Sequence, residues 1–265
     1  MNDTARRTLL RLVFVAGALI GVLGGLIGLG GAEFRLPVLI GLFGFAALHA
    51  VILNKAMSLL VVLTALPVRL LTLPHNQITT HWPIAANLLL GSLVGAWLGA
   101  SWATRMRSRS LYRVLAVLLV LIAAALAATH LGPIGTLDLP PIPRFVVTVI
   151  AGVGIGTVAA LMGVAGGELL IPTIVLLFAV DIKTAGTLSL MVSLPTMLVA
   201  FARYTRDASF QILYANKRFV LTMAAGSIAG TIVGGLLLGV VPSPVLIPIL
   251  VGLLLASAVK VWQHR

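Results

Sequence analysis

Residues 25–40 read GLIGLGGAEFRLPVLI, and residues 160–175 read ALMGVAGGELLIPTIV. The two stretches superpose at a shift of 135 positions, which lays Glu33 on Glu168 and Pro37 on Pro172. The same ungapped shift carries residues 15–126 onto a second, diverged copy. Seven of the twelve glycines in the first copy land on glycines: Gly17/Gly152, Gly21/Gly156, Gly28/Gly163, Gly31/Gly166, Gly91/Gly226, Gly95/Gly230 and Gly99/Gly234. With glycine at 27 of 265 residues, roughly one such coincidence is expected from abundance alone. The chain is a tandem duplication, and each copy keeps one glutamate beside a glycine cluster in an apolar run.

Composition sets the class. Hydrophobic residues make up 60% of the chain and charged ones 9%, with a mean hydropathy of +1.16. Too little polar material is present to cover a water-soluble domain. Windows of about 20 apolar residues recur along the whole length, as bilayer crossings require. The absence of cysteine excludes disulfides and thiolate metal sites. Basic residues precede the first apolar run, which passes into the glycine motif without a small-residue cleavage site, so it reads as a retained first span.

The pattern predicts an all-α polytopic membrane protein of about ten segments, at 12–31, 33–46, 51–71, 82–103, 114–129, 145–163, 168–180, 184–202, 219–240 and 244–262. The net charge of +12 is not spread evenly among them. Arg6, Arg7 and Arg11 form one cluster, Arg105, Arg107, Arg109 and Arg113 a second, and Arg203, Arg206, Lys217 and Arg218 a third. With alternating crossings, all three share one side with the C-terminal Lys260 and Arg265. The opposite loops PHNQITTH, HLGPIGTLDLPPIP and VPSP hold no Lys or Arg. This is the positive-inside pattern, with both termini cytoplasmic. The basic charge therefore reports orientation and contact with anionic lipid, not a nucleic-acid partner.

Five segments per copy is an odd number, so the second copy enters the membrane from the opposite side. The chain divides into a first repeat (1–130), an extracytoplasmic linker (131–144) and a second, inverted repeat (145–265). Segments 33–46 and 168–180 are about 20 Å long as helices, short of a ~30 Å hydrocarbon core. Short segments interrupted by Gly and Pro at matching positions of inverted repeats mark transporter binding sites. Broken or re-entrant helices are expected there.

The residues of the motif carry the chemistry. The glycine clusters let the backbone leave helical geometry, and a short helix should begin near Ala32 and again near Gly167. Free N–H groups and the dipole at such a helix start favour an anion. Gly30, Gly31, Gly166 and Gly167 are thus expected to shape an anion pocket, flanked by Glu33 and Glu168 as proton-coupling groups. An intramembrane carboxylate costs several kcal/mol unless it is protonated, paired or wet, and is a functional candidate by default. Arg35 has Leu170 as its counterpart; substrate contact through its forked donors, pairing with Glu33 and snorkelling are all open. Ser58 and Ser193 align at the repeat shift and are candidate pocket hydroxyls. Asn54, Lys55 and Lys183 are expected as interfacial anchors, with a place at a vestibule mouth the other reading open to each. Gly91, Gly95 and Gly99, with Gly226, Gly230 and Gly234, form GxxxGxxxG ridges for close helix packing. Trp82, Trp102 and Trp262 stand at segment ends as interfacial residues do. No nucleotide, metal-triad or nucleophile–base pattern is present, so no cofactor, metal or catalytic residue is expected.

The paired runs GLGGAEFRLP (28–37) and GVAGGELLIP (163–172) resemble the signature of the TauE/SafE sulfite exporter family, and the following segments HAVILNKAMSLLV and KTAGTLSLMVSL fit the same plan. The resemblance spans about residues 12–262. The chain departs from the family pattern at Glu33, where an apolar residue is usual, and at Ala165, where a glycine is usual. What the resemblance implies is a secondary transporter, not an enzyme, exporting sulfite, sulfonates or related small anions across a bacterial inner membrane. Proton coupling by alternating access between the repeats is expected with it. Protons, a small anion and membrane lipids are its partners; homo-oligomerisation stays open. A cation or metal transporter using the paired glutamates, and a membrane assembly subunit without transport, are the alternatives.

Overall fold

A computed structural model describes residues 3–27, 31–72, 75–128, 137, 139–237 and 243–263. The described residues are helical almost throughout. The helices are α1 (Asp3–Ile27), α2 (Ala32–Gly41), α3 (Ala47–Thr72), α4 (His75–Arg105), α5 (Ser108–Ala128), α6 (Pro141–Met162), α7 (Gly167–Phe178), α8 (Ile182–Tyr204), α9 (Gln211–Ala215), α10 (Lys217–Leu236) and α11 (Ser243–Gln263). Seven of them, α1, α3, α4, α5, α6, α8 and α10, are long and apolar enough to cross a bilayer. The chain is a multi-pass membrane protein. Leu19, Ile150, Leu221 and Ile232 are each more than half exposed, as lipid-facing side chains of a bundle are.

Ends and breaks follow from local chemistry. Asp181 caps α8, its carboxylate accepting from the N–H of Lys183 at 3.0 Å and of Thr184 at 3.1 Å. The short helices α2 and α7 have ten and twelve residues, about 15 and 18 Å of helix. Both start behind a glycine in the left-handed region, Gly31 at φ 71° and Gly166 at φ 86°.

The two copies interlock. α1 lies along α10, and its counterpart α6 lies along α4, so the first helix of each repeat packs on the fourth helix of the other. α3 also meets its counterpart α8, and α5 meets α11. The glycine ridges decide the exchanged contacts. A Cβ at Gly91 or Gly95 would strike the carbonyl of Val149 or Val153 in α6. One at Gly226 or Gly230 would strike that of Phe14 or Ala18 in α1. The aligned glycines facing them, Gly152 and Gly156 against α4 and Gly17 and Gly21 against α10, are closed in the same way. With no side chains between them the backbones touch, and dispersion and Cα–H···O contacts replace the hydrophobic drive that lipid cannot supply.

Around this frame lie two apolar cores, each holding one short helix. Phe34, Leu36, Leu39 and Ile40 of α2 sit in the larger, with α3, α5 and α11. Leu170 and Ile174 of α7 sit in the smaller, with α4 and α8.

Candidate functional site

The starts of α2 and α7 are where the sequence places them, at Ala32 and Gly167. Their glutamates come together, the carboxyls of Glu33 and Glu168 lying within electrostatic range of each other. Glu33 is 1% exposed. No N–H or O–H group of the described residues reaches Glu33 Oε2 or either oxygen of Glu168, although all three atoms are buried.

Arg35, two positions beyond Glu33, is 0% exposed, and among the described residues none of its three guanidinium nitrogens has a hydrogen-bond partner. Snorkelling is excluded by that burial. Residues two apart on a helix leave in different directions, so the guanidinium feels the Glu33 charge without a hydrogen bond to it. Helical side chains lean toward the N-terminus, which directs Arg35 back toward the start of α2. Five N–H donors without an acceptor are held inside the protein.

Between the two short helices lies the turn that ends α6. The last carbonyls of a helix have no partners within it; here α3 and α8 supply them. Lys55 Nζ donates to the carbonyl oxygens of Ala159 at 2.8 Å and Val164 at 2.7 Å. Asn54 donates to that of Met162 at 3.1 Å and also to that of Ala32, at the start of α2, at 3.0 Å. Ser58 Oγ donates to the carbonyl of Gly163 at 3.3 Å, and Tyr204 Oη to that of Ala160 at 2.9 Å. Gly163 has φ 71°, and a Cβ there would run into the carbonyl of Val51 in α3. Lys55 also lies within electrostatic range of Glu168.

The expectation that Asn54 and Lys55 anchor the chain at an interface is thus corrected. Both are 0% exposed, and both tie the turn of the second copy to the first. They were missed because a polar pair opening an apolar segment also suits a membrane surface. The available signal was Ser58 one turn further on, which completes a polar stripe at i, i+1 and i+4. Lys183 is exposed at the start of α8.

The remaining site candidates divide. Gly31, Gly166 and Gly167 are buried around the two helix starts, while Gly30 lies outside the described residues. Ser58 meets the turn, as above. Ser193 is 0% exposed with its hydroxyl unpartnered, and Ser189 bonds within its own helix to the Gly186 carbonyl at 2.8 Å. Where α3 presents Asn54 and Lys55, α8 presents Ser189 and Leu190, so the polar clamp is built on one copy alone. A surface hollow of about 370 Å³ lined by Arg206, Asp207, Gln211 and Tyr214 lies elsewhere, in the connection from α8 to α10.

Residues 2–126, essentially the whole first copy, match the model of the family described as sulfite exporter TauE/SafE. No curated protein and no solved structure matches the chain.

Proposed function

We propose that this chain, whose residues 2–126 match the model of the sulfite exporter TauE/SafE family, is a proton-coupled secondary transporter of small sulfur oxyanions and sulfonates. The observation that carries the reading is Arg35: a guanidinium with no exposure and no partner among the described residues, within electrostatic range of Glu33 in the first turn of α2. A buried cation without a counter-charge is costly, and an oxyanion fits its planar fork. Glu33 and Glu168 carry the coupling proton. The two five-segment repeats are inverted in the inner membrane with both termini cytoplasmic, α2 and α7 entering from opposite sides, and the halves alternate access to the pocket. The exchanged packing of α1 on α10 and α6 on α4 supports that plan, because it is what a two-fold relation between the copies generates.

The test is flux of sulfite and of methanesulfonate into liposomes holding the purified protein, with and without an imposed pH gradient. Saturable uptake that follows the gradient is the expected result. Glu33→Gln and Glu168→Gln should abolish the response to pH while leaving membrane insertion intact; unchanged coupling in both variants removes the carboxyl pair from the mechanism. The reading that the glutamates hold a metal cation is disfavoured by Arg35 and Lys55, two cations in the same cluster. Cation-dependent thermal shifts without anion flux would favour it.

A further inference from the structure

We propose that the ends of α4 and α8 form a binding site for an anionic phospholipid, its phosphate held by Arg203 and Arg206 at the ring of Trp97 and its acyl chain lying along the exposed face of α4. This goes beyond the transporter reading and does not depend on what the pocket at α2 and α7 carries.

α4 and α8 run side by side in the same direction. Two contacts bracket their seam: Ser92 Oγ and Thr196 Oγ1 at 2.7 Å and, further along both helices, Arg203 Nε donating to Ser101 Oγ at 2.7 Å. Both helices end at this surface, α8 at Tyr204 and α4 at Arg105. Arg203 also donates from Nη2 to Thr104 Oγ1 at 3.4 Å, and its guanidinium stands over the Trp97 ring, 5.9 Å from the centroid. Arg206 stands over the same ring at 5.1 Å. The two are three residues apart with Thr205 still in the helical region, so they leave α8 on one side. One indole thus gathers two positive charges, and the hydroxyls and aromatic face that hold them are neutral. Guanidiniums stay charged, and an anion between them relieves their repulsion. The acid of this connection, Asp207, is engaged with its own backbone, accepting from the N–H of Ser209 at 2.9 Å. Arg203 keeps three N–H donors beyond its two hydroxyl bonds, and Arg206 is exposed. Phosphate oxygens match such forks.

The surroundings identify the anion as a lipid. Trp97 is 37% exposed and stands about 12 Å inside the end of α4, where an indole ring sits beside headgroups. On the same helix Leu90, Val94 and Leu98 recur every four residues and are each more than half exposed, and Leu198 of α8 is about half exposed. A free anion would use the arginines alone, whereas this apolar strip beside them fits an acyl chain. The duplication does not account for the arrangement, since the positions aligned with Trp97, Arg203 and Arg206 hold Ile232, Val68 and Leu71. It belongs to one membrane surface, the one that in the positive-inside orientation meets the anionic leaflet.

Fluorescence quenching by brominated lipid tests this on the full chain in phosphatidylcholine vesicles, with Trp82, Trp102 and Trp262 replaced by Phe so that Trp97 alone reports. Phosphatidylglycerol brominated on its acyl chains should quench Trp97 with an apparent affinity roughly tenfold above that of brominated phosphatidylcholine. Arg203→Gln together with Arg206→Gln should bring the two lipids level, and excess soluble glycerol phosphate should not displace the quenching lipid. Should the Phe variant not fold, native mass spectrometry of the unsubstituted chain in detergent gives the second reading: phosphatidylglycerol retained in preference to phosphatidylcholine, and lost from Arg206→Gln. Equal quenching or retention of the two lipids, or selectivity that survives the substitutions, overturns the site. Displacement by glycerol phosphate overturns its assignment to a lipid. The transporter reading is decided separately, by the flux measurements above.

Discussion

Arg35 and Lys55 are both fully buried cations, and they differ in what they are bonded to. Lys55 has two carbonyls of the α6 turn; Arg35 has no acceptor among the described residues. The first arrangement is structural, the second is where the proposed anion would bind, and the two residues should respond differently to substitution. Lys55→Met removes a charged donor from the Val164 carbonyl and should cost about 2 kcal/mol of stability, seen as a lower unfolding midpoint in detergent. Arg35→Lys keeps the charge and loses the fork. It should leave that midpoint near the wild-type value and raise the half-saturating methanesulfonate concentration tenfold or more, about 1.4 kcal/mol. Equal affinity in Arg35→Lys would mean that the guanidinium geometry is not used. Sequence reading separated Glu33, Glu168 and Arg35 from their apolar neighbours because charge inside a span is conspicuous. It could not rank Arg35 above a snorkelling arginine, since exposure is not written in the chain.

At the scale of elements, the glycine ridges explain which helices pair. α4 and α10 carry Gly91, Gly95, Gly99 and Gly226, Gly230, Gly234, and each of the first two in either ridge has a carbonyl of the partner helix where its Cβ would stand. Gly95→Val should therefore force α4 from α6 at a cost on the order of 1–3 kcal/mol. Gly154, on the same α6, has open space around it, and Gly154→Ala should be neutral or slightly stabilising through helix propensity. The pair is read by unfolding midpoint and by monodispersity in detergent; a tolerated Gly95→Val would mean that the two helices have slack. The spacing of four announced a close-packing face in the sequence. The partner of that face, a helix of the other repeat, was not announced.

For the whole molecule, the exchange of first and fourth helices makes each half depend on the other. The polar clamp adds to it, because Asn54, Lys55 and Ser58 of the first copy hold the Met162–Val164 turn of the second. A chain divided after residue 130 should give two halves that do not fold alone, yet form a protease-resistant complex when produced together; one half stable by itself would contradict the interlocked packing. The sequence by itself determined the membrane class, the duplication, the starts of the short helices at Ala32 and Gly167 and the two glutamates, since hydropathy, periodicity and glycine spacing are properties of a linear string. Only the tertiary structure decided that Glu33 and Glu168 come near each other, that Asn54 and Lys55 are buried staples and that Arg35 has no partner among the described residues. Those facts depend on which side chains distant segments bring together, and on how many donors remain once every neighbouring acceptor is taken.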